Sequence, residues 1–285
     1  MRDIKAISPW KLVWLASYPK SGNTWFRIFL TNYLQNKEKP AILHELERSP
    51  IASCRNSFDR LYGIDSVDLD FSEIDRRRPA LYAEWQKNQD TLFHKVHDAY
   101  TYLPDGQPLL GDHDGQAALY FIRNPLDIAV SLAHHSGTDD FDKIIAQMNC
   151  DQFSFCEKEN NFSIQLRQKL LSWHNHVLSW FESSVPKLIL RYEDMLNDTF
   201  NTFRQAICFL KLPDDEKRIQ RAINFSTFDI LQEQEKNMGF PEKPPRAKNF
   251  FRQGQAGKYI EALTQTQIES ITHHHKKVME QFHYV

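Results

Sequence analysis

The sequence predicts an α/β protein with a central, mainly parallel sheet flanked by helices. Two observations carry that expectation: short apolar runs of strand length recur along the chain, and runs with helical spacing alternate with them. A third is the junction "SYPKSGNTW", where a lone glycine stands between an apolar and an amphipathic run, as a βα unit requires.

In chain order, "KLVWLAS" (Lys11 to Ser17) is bounded by Pro9 and Pro19 and reads as a buried parallel strand. Trp25, Phe26, Phe29, Leu30 and Tyr33 then recur at helical spacing, with Arg27, Thr31 and Gln35 opposite. "TLFHKVH" (Thr91 to His97) and "AALYFI" (Ala117 to Ile122) are further strands. In "RNPLDIAVSLAHH" a helix follows, with Asn124 as N-cap, Pro125 at the first helical position and Asp127 in the first turn. Leu166, Leu170, Trp173, Val177 and Trp180 form the stripe of another helix, and "KLILRYEDM" (Lys187 to Met195) reads as the next strand. The segments 37–90, 136–162 and 232–258 read as irregular connections, the usual place for binding loops and lids. No repeat, low-complexity tract or linker divides the chain, so residues 1–285 are expected to form one domain.

Hydrophobic residues at 41% and aromatics at 13% suffice for a large core. A net charge of −2 gives no case for a nucleic-acid or membrane surface, so any anion site must be a local cluster. Cys54, Cys150, Cys156 and Cys208 lack metal-binding spacing and are expected to be buried free thiols in a reducing cytoplasm. No apolar run reaches the roughly 20 residues of a membrane span. The expectation is a soluble cytoplasmic protein.

The first junction offers backbone N–H groups at a helix start, the Lys20 ammonium, and hydroxyls on Ser21 and Thr24, together a site for a dianionic group. It is not the nucleotide-triphosphate loop, which needs a Gly, four residues, then Gly-Lys-Ser/Thr. Arg123 leaves the end of a second strand, where ligands of open α/β sheets collect, and Ser131 lies about two turns into the helix beyond. Arg123 and Ser131 suit a second phosphate.

"SYPKSGNTW" strongly resembles the 5′-phosphosulfate loop of the cytosolic-type sulfotransferases. "RNPLDIAVS" resembles their 3′-phosphate motif, "FFRQGQAGKY" their C-terminal RKGxxG segment, and "KVH" their K-T-H with its catalytic histidine. The ordered set spans Tyr18 to Gly257 and implies a P-loop-like sulfotransferase fold using the donor 3′-phosphoadenosine 5′-phosphosulfate (PAPS). The product would be 3′-phosphoadenosine 5′-phosphate (PAP).

By that resemblance, Lys20, Ser21, Gly22, Asn23 and Thr24 wrap the 5′-phosphosulfate, and Trp25 stacks near the adenine. Arg123 and Ser131 hold the 3′-phosphate, with Arg252, Gln253 and Gly254 closing over it. Tyr192, Ser226 and Phe228 are adenine-side positions. Asn23 stands where the family usually has Thr, and Gln253 where it has Lys, which removes one cation from the clamp; Lys248 or Lys258 are candidates to compensate. The family's dimer-forming stretch has no counterpart after Gly257, so no oligomeric state is assigned.

The resemblance also implies catalytic roles. His97 is the general base, an imidazole titrating near neutral pH, and Lys20 stabilises the leaving oxygen with help from Lys95. Ser131 tempers Lys20 before the acceptor binds. No metal is expected, because fixed cations neutralise the transferred group. The acceptor is expected to be a small molecule with a hydroxyl, less readily an amine. Alternatives are a non-catalytic nucleotide-binding protein of the same fold and a kinase-like phosphotransferase.

His94 competes with His97, but three residues apart on a strand the two face opposite ways, and the K-x-H position favours His97. His134 and His135 are expected to be ordinary residues, one of them possible in an acceptor pocket. His273 to His275 invite a metal reading, yet consecutive helical residues step about 100° apart, and His275 alone falls on the stripe of Ile268, Ile271, Val278 and Phe282, so a solvated helix with one half-buried histidine is expected rather than a zinc site. Aromatics of the long connections (Phe58, Tyr62, Phe71, Tyr82, Trp85, Phe141, Phe153 and Phe155) make a hydrophobic or aromatic alcohol the expected acceptor.

Overall fold

The computed structural model describes residues 8–87, 90–157 and 163–285. The first residues of the chain and short parts of two long connections, 88–89 and 158–162, lie outside them. The chain runs β1 (Leu12–Ser17), α1 (Asn23–Gln35), α2 (Arg55–Tyr62), α3 (Phe71–Gln86), β2 (Leu92–Val96), β3 (Gln116–Ile122), α4 (Pro125–Ser136) and α5 (Phe141–Asn149). A small antiparallel pair follows, β4 (Ser154–Phe155) with β5 (Gln168–Lys169). Then come α6 (Trp173–Glu182), β6 (Lys187–Arg191), α7 (Tyr192–Asn197), α8 (Thr199–Phe209), α9 (Glu216–Asn224), α10 (Phe228–Met238) and α11 (Gln265–Gln281).

The main sheet has the order β2-β1-β3-β6, and every neighbouring pair is parallel. Both faces are covered, which is why β1 and β3 are buried along their whole length and read as continuous apolar runs. Their side chains alternate between two cores. Leu12, Trp14, Ala118 and Tyr120 join the core packed with α4, α6 and α11, whereas Val13, Leu15, Leu119 and Phe121 join the one packed with α1, α8 and α9. The chain leaves β1 for β2 on one side and for β3 on the other. That reversal opens a crevice at the carboxyl ends of the strands.

Several expected elements differ. The connection 37–90 contains α2 and α3; Asp70 and Glu73 form a reciprocal capping box that starts α3, a local signal hidden in a charge-mixed stretch. Phe141–Asn149 is likewise helical, capped by Asp140. The strand at Lys187 ends at Arg191, because Glu193 and Asp194 occupy the first turn of α7. Leu166 and Leu170 are buried but precede α6, since β5 and a left-handed Leu171 (φ 60) come first. The four cysteines are free, as expected, but Cys150 and Cys208 are exposed and Cys54 and Cys156 only half-buried. Cys150 caps the surface end of α5, and Cys208 sits in the last turn of α8. Among the described residues no helix is long and apolar enough to cross a membrane.

Candidate active site

The parallel sheet delivers the site. Lys20 lies three residues beyond the end of β1, and His97, Arg123 and Tyr192 each follow the last residue of β2, β3 and β6. All four line one cavity of about 750 Å³.

The loop after β1 is shaped by backbone. Gly22 holds φ 94, and a Cβ there would stand 2.7 Å from the Tyr192 ring, so this position admits no side chain. Lys20 itself holds φ 73, a strained conformation of the kind found at ligand clamps. Asn23 turns inward, its Nδ2 donating to the Leu15 carbonyl (2.7 Å) and to Ser17 Oγ (3.2 Å), so it ties the loop to the sheet. Thr24 and Trp25 line the cavity; Trp25 Nε1 donates to the Ser226 carbonyl at 2.9 Å. Ser21 and Ser226 are both fully buried and do not line the cavity. The Ser21 hydroxyl has no partner, and that of Ser226 donates to the Ile223 carbonyl.

Lys20 Nζ donates to His135 Nδ1 (3.4 Å) and lies 4.2 Å from the centre of the Phe250 ring. Burial, then the Lys95 and Arg123 charges, pull its pKa down to about 7. His135 is held neutral, its pKa lowered to about 3 by burial and then by Lys20. Ser131 lines the same cavity one turn earlier on α4, so His135 rather than Ser131 is the hydroxyl- or imidazole-bearing partner of Lys20 here.

Arg123 bridges two edges of the cavity, donating to the Lys20 carbonyl at 3.0 Å and the Gln255 carbonyl at 2.9 Å, over the face of Tyr192. Its Nε is buried without a partner. Arg252, Gln253 and Gly254 line the same side, with Arg252 donating to His134. Gly254 (φ 61) presses on Phe228, where a Cβ would come to 2.6 Å.

His97 is the best-defined group. Its Nδ1 lies 2.8 Å from the Ser17 carbonyl, which can only accept, so the proton sits on Nδ1 and Nε2 keeps its lone pair. Burial, then the Lys95 charge, holds its pKa well below the usual histidine value. The His97 carbonyl accepts from His176 Nε2 (3.0 Å), and Tyr120 closes the chain on His176 Nδ1 (2.9 Å). The next residue, Asp98, forms a buried ion pair with Arg78 at 2.6 Å. His94 instead stacks on Trp85 away from the cavity, as the strand alternation predicts.

Lys95 also lines the cavity, but its charge is already engaged: Nζ meets Glu242 at 2.8 Å, and the buried Arg27 holds the other carboxylate oxygen at 2.7 Å. The two cations, set against burial, keep the Glu242 carboxyl well below its ordinary value. Sequence reasoning missed Glu242, His176 and Arg78. Only His176 left a signal, falling between Trp173, Val177 and Trp180 on the stripe of α6.

Of the aromatics expected around an acceptor, only Phe155 lines the cavity, while Phe58 and Tyr82 belong to the core. The apolar lining of the cavity includes Ile51, Phe155, Ile164, Pro244, Pro245 and Phe250. Gln165 and Gln168 are its neutral polar members.

The Sulfotransferase domain family model matches residues 11–283, and the chain belongs to that family; its class is that of the PAPS-dependent sulfotransferases. It is 25% identical to flavonol 3-sulfotransferase of Flaveria bidentis, over 91% of this chain and 78% of that one. It is also 25% identical to sulfotransferase 1E1 of Homo sapiens, over 94% of this chain and 83% of that one. The structure of mouse sulfotransferase SULT7A1 complexed with PAP shares the fold, with a TM-score of 0.60 at 18% identity over 98% of this chain and 87% of that one.

Proposed function

We propose that the chain transfers the sulfuryl group of PAPS to the hydroxyl of a small, largely apolar acceptor, with His97 as general base. The observation that carries this reading is the Ser17–His97 hydrogen bond. It leaves a neutral Nε2 lone pair in the same cavity as Lys20.

The residues at the strand ends fit the donor. The buried Arg123 Nε lacks a partner, Gly22 and Gly254 leave room no side chain could share, and Lys20, Arg123 and Arg252 supply positive charge. Bound there, PAPS supplies a sulfuryl group carried on a phosphate leaving group. Arg123 and Arg252 would hold the 3′-phosphate by charge-assisted hydrogen bonds, and Trp25, Tyr192 and Phe228 would take the adenine. Lys20, near neutrality without a ligand, is driven to its charged form by the added negative charge and holds it on the departing oxygen. His97 Nε2 takes the acceptor proton. His135 meets Lys20 and sets its position before reaction, with Ser131 one turn earlier on α4 lining the same cavity.

The apolar wall around Phe155, Ile164 and Phe250 suits an alcohol or phenol with little charge, and a relative named for a flavonol supports an aromatic one. The free thiols suit a reducing compartment such as the cytoplasm.

The test is calorimetric titration with PAP, without magnesium, on wild type and Arg123→Ala, followed by sulfate-labelled transfer to a panel of phenols and alcohols. Tight binding lost in the variant, with transfer abolished in His97→Ala, supports the reading. Absence of PAP binding by wild type, with binding of ATP and magnesium instead, refutes it.

A further inference from the structure

Away from the catalytic cavity, the structure completes a cluster that the run of three histidines only hinted at. The third ligand comes from another helix. We propose that His174 at the start of α6 joins His274 and His275 of α11 in a site for a borderline divalent transition metal, Zn²⁺ foremost.

One ring nitrogen from each of the three lies within 4.8 Å of the others. The His174 and His275 Nδ1 atoms are 3.0 Å apart. Two ligands of a tetrahedral Zn²⁺ stand about 3.3 Å apart, given Zn–N bonds of roughly 2.0–2.1 Å. That pair is therefore almost at ligand spacing. His274 is exposed and can swing its ring onto the ion with little cost to the core.

The cluster is held from behind. His275 is 0% exposed and packs on Trp173. Asp151, whose carboxylate accepts from Asn175 Nδ2 at 2.7 Å, lies near enough to His174 and His274 to add negative charge to the cluster. None of these residues lines the catalytic cavity.

A metal here clips α11 to the start of α6. The same helix carries His176, which supports the His97 backbone.

The experiment uses the untagged full chain, stripped with a chelator, and titrates Zn²⁺ against a chromogenic indicator. Co²⁺ absorption reports the geometry, and melting is followed with and without Zn²⁺. Wild type should bind one equivalent with a tetrahedral Co²⁺ spectrum. At a hundredfold excess over Kd its Tm should rise by about 5 °C or more, reversibly with chelator. His274→Asn and His174→Asn should each weaken binding at least about 100-fold. His274 is exposed, so its variant should keep the wild-type circular dichroism. Absence of Zn²⁺ binding by wild type overturns the proposal, as does equal affinity in both variants, which would place the ion elsewhere. PAP affinity, measured on the same samples, reports separately on the catalytic reading.

Discussion

The two sides of the catalytic cavity are built by different means. On the side proposed for the donor, Lys20, Arg123 and Tyr192 lie within three residues of strand ends, and the parallel register of β1, β3 and β6 brings them together. On the side proposed for the acceptor, Ile51, Phe155, Ile164, Glu242 and Phe250 come from long connections far apart in sequence. The sheet thus fixes the strand-end residues, while connections of a kind that tolerates change form the wall proposed for the acceptor. His97 stands between the two sides, tied to β1 through Ser17 and to the helical layer through His176.

The largest effect should come at that boundary. His97→Ala should lower kcat by about 10²–10⁴-fold, the usual loss of a general base, with PAP affinity unchanged in calorimetry. Equal loss of PAP binding would mean that His97 belongs to the donor side. Because burial holds His97 neutral well below its usual pKa, the acid limb of the wild-type rate profile should lie below pH 6.5.

Asp98→Ala should cost about 3–5 kcal/mol in urea unfolding, since it strands the Arg78 charge in the core. Arg123→Ala should weaken PAP about 100-fold, as expected for losing two charge-assisted hydrogen bonds. The acceptor KM should barely move, and a comparable rise in it would blur the division between the sides.

Glu242→Gln should do the reverse. It releases Lys95 and Arg27 from their shared carboxylate, so acceptor kinetics should change severalfold while PAP affinity stays within about twofold. The smallest signal is protonic. With its pKa near 7 in the free protein, Lys20 is largely neutral at pH 8, and a bound dianion favours its charged form. PAP binding at pH 8 should therefore take up part of a proton, read as a dependence of the calorimetric enthalpy on buffer ionisation. The uptake should fade towards pH 6, where Lys20 is already protonated, and vanish in Lys20→Met.

The placement of the strand-end residues was largely legible because they sit beside the elements that position them. "SYPKSGNTW" contains both the strand end and the helix start, so Lys20 and Gly22 could be assigned roles from adjacent residues. Ser21 and Ser226 carry family positions, yet their hydroxyls are buried away from the cavity, a matter of rotamer and packing that no motif encodes. The capping box at Asp70 was readable but lay in a stretch whose charge pattern suggested a loop.

What the sequence by itself determined is the parallel sheet, the loop after β1 and the order of the strand-end residues. Apolar runs, helical periods and turn residues are local, and local rules suffice for them. Only the tertiary structure decided that Glu242 neutralises Lys95, that His135 faces Lys20, and that His174 joins His274 and His275 across 101 and fewer residues of chain. Those pairings depend on how helices and long connections pack over the sheet, and packing is set by the whole core rather than by neighbours in sequence.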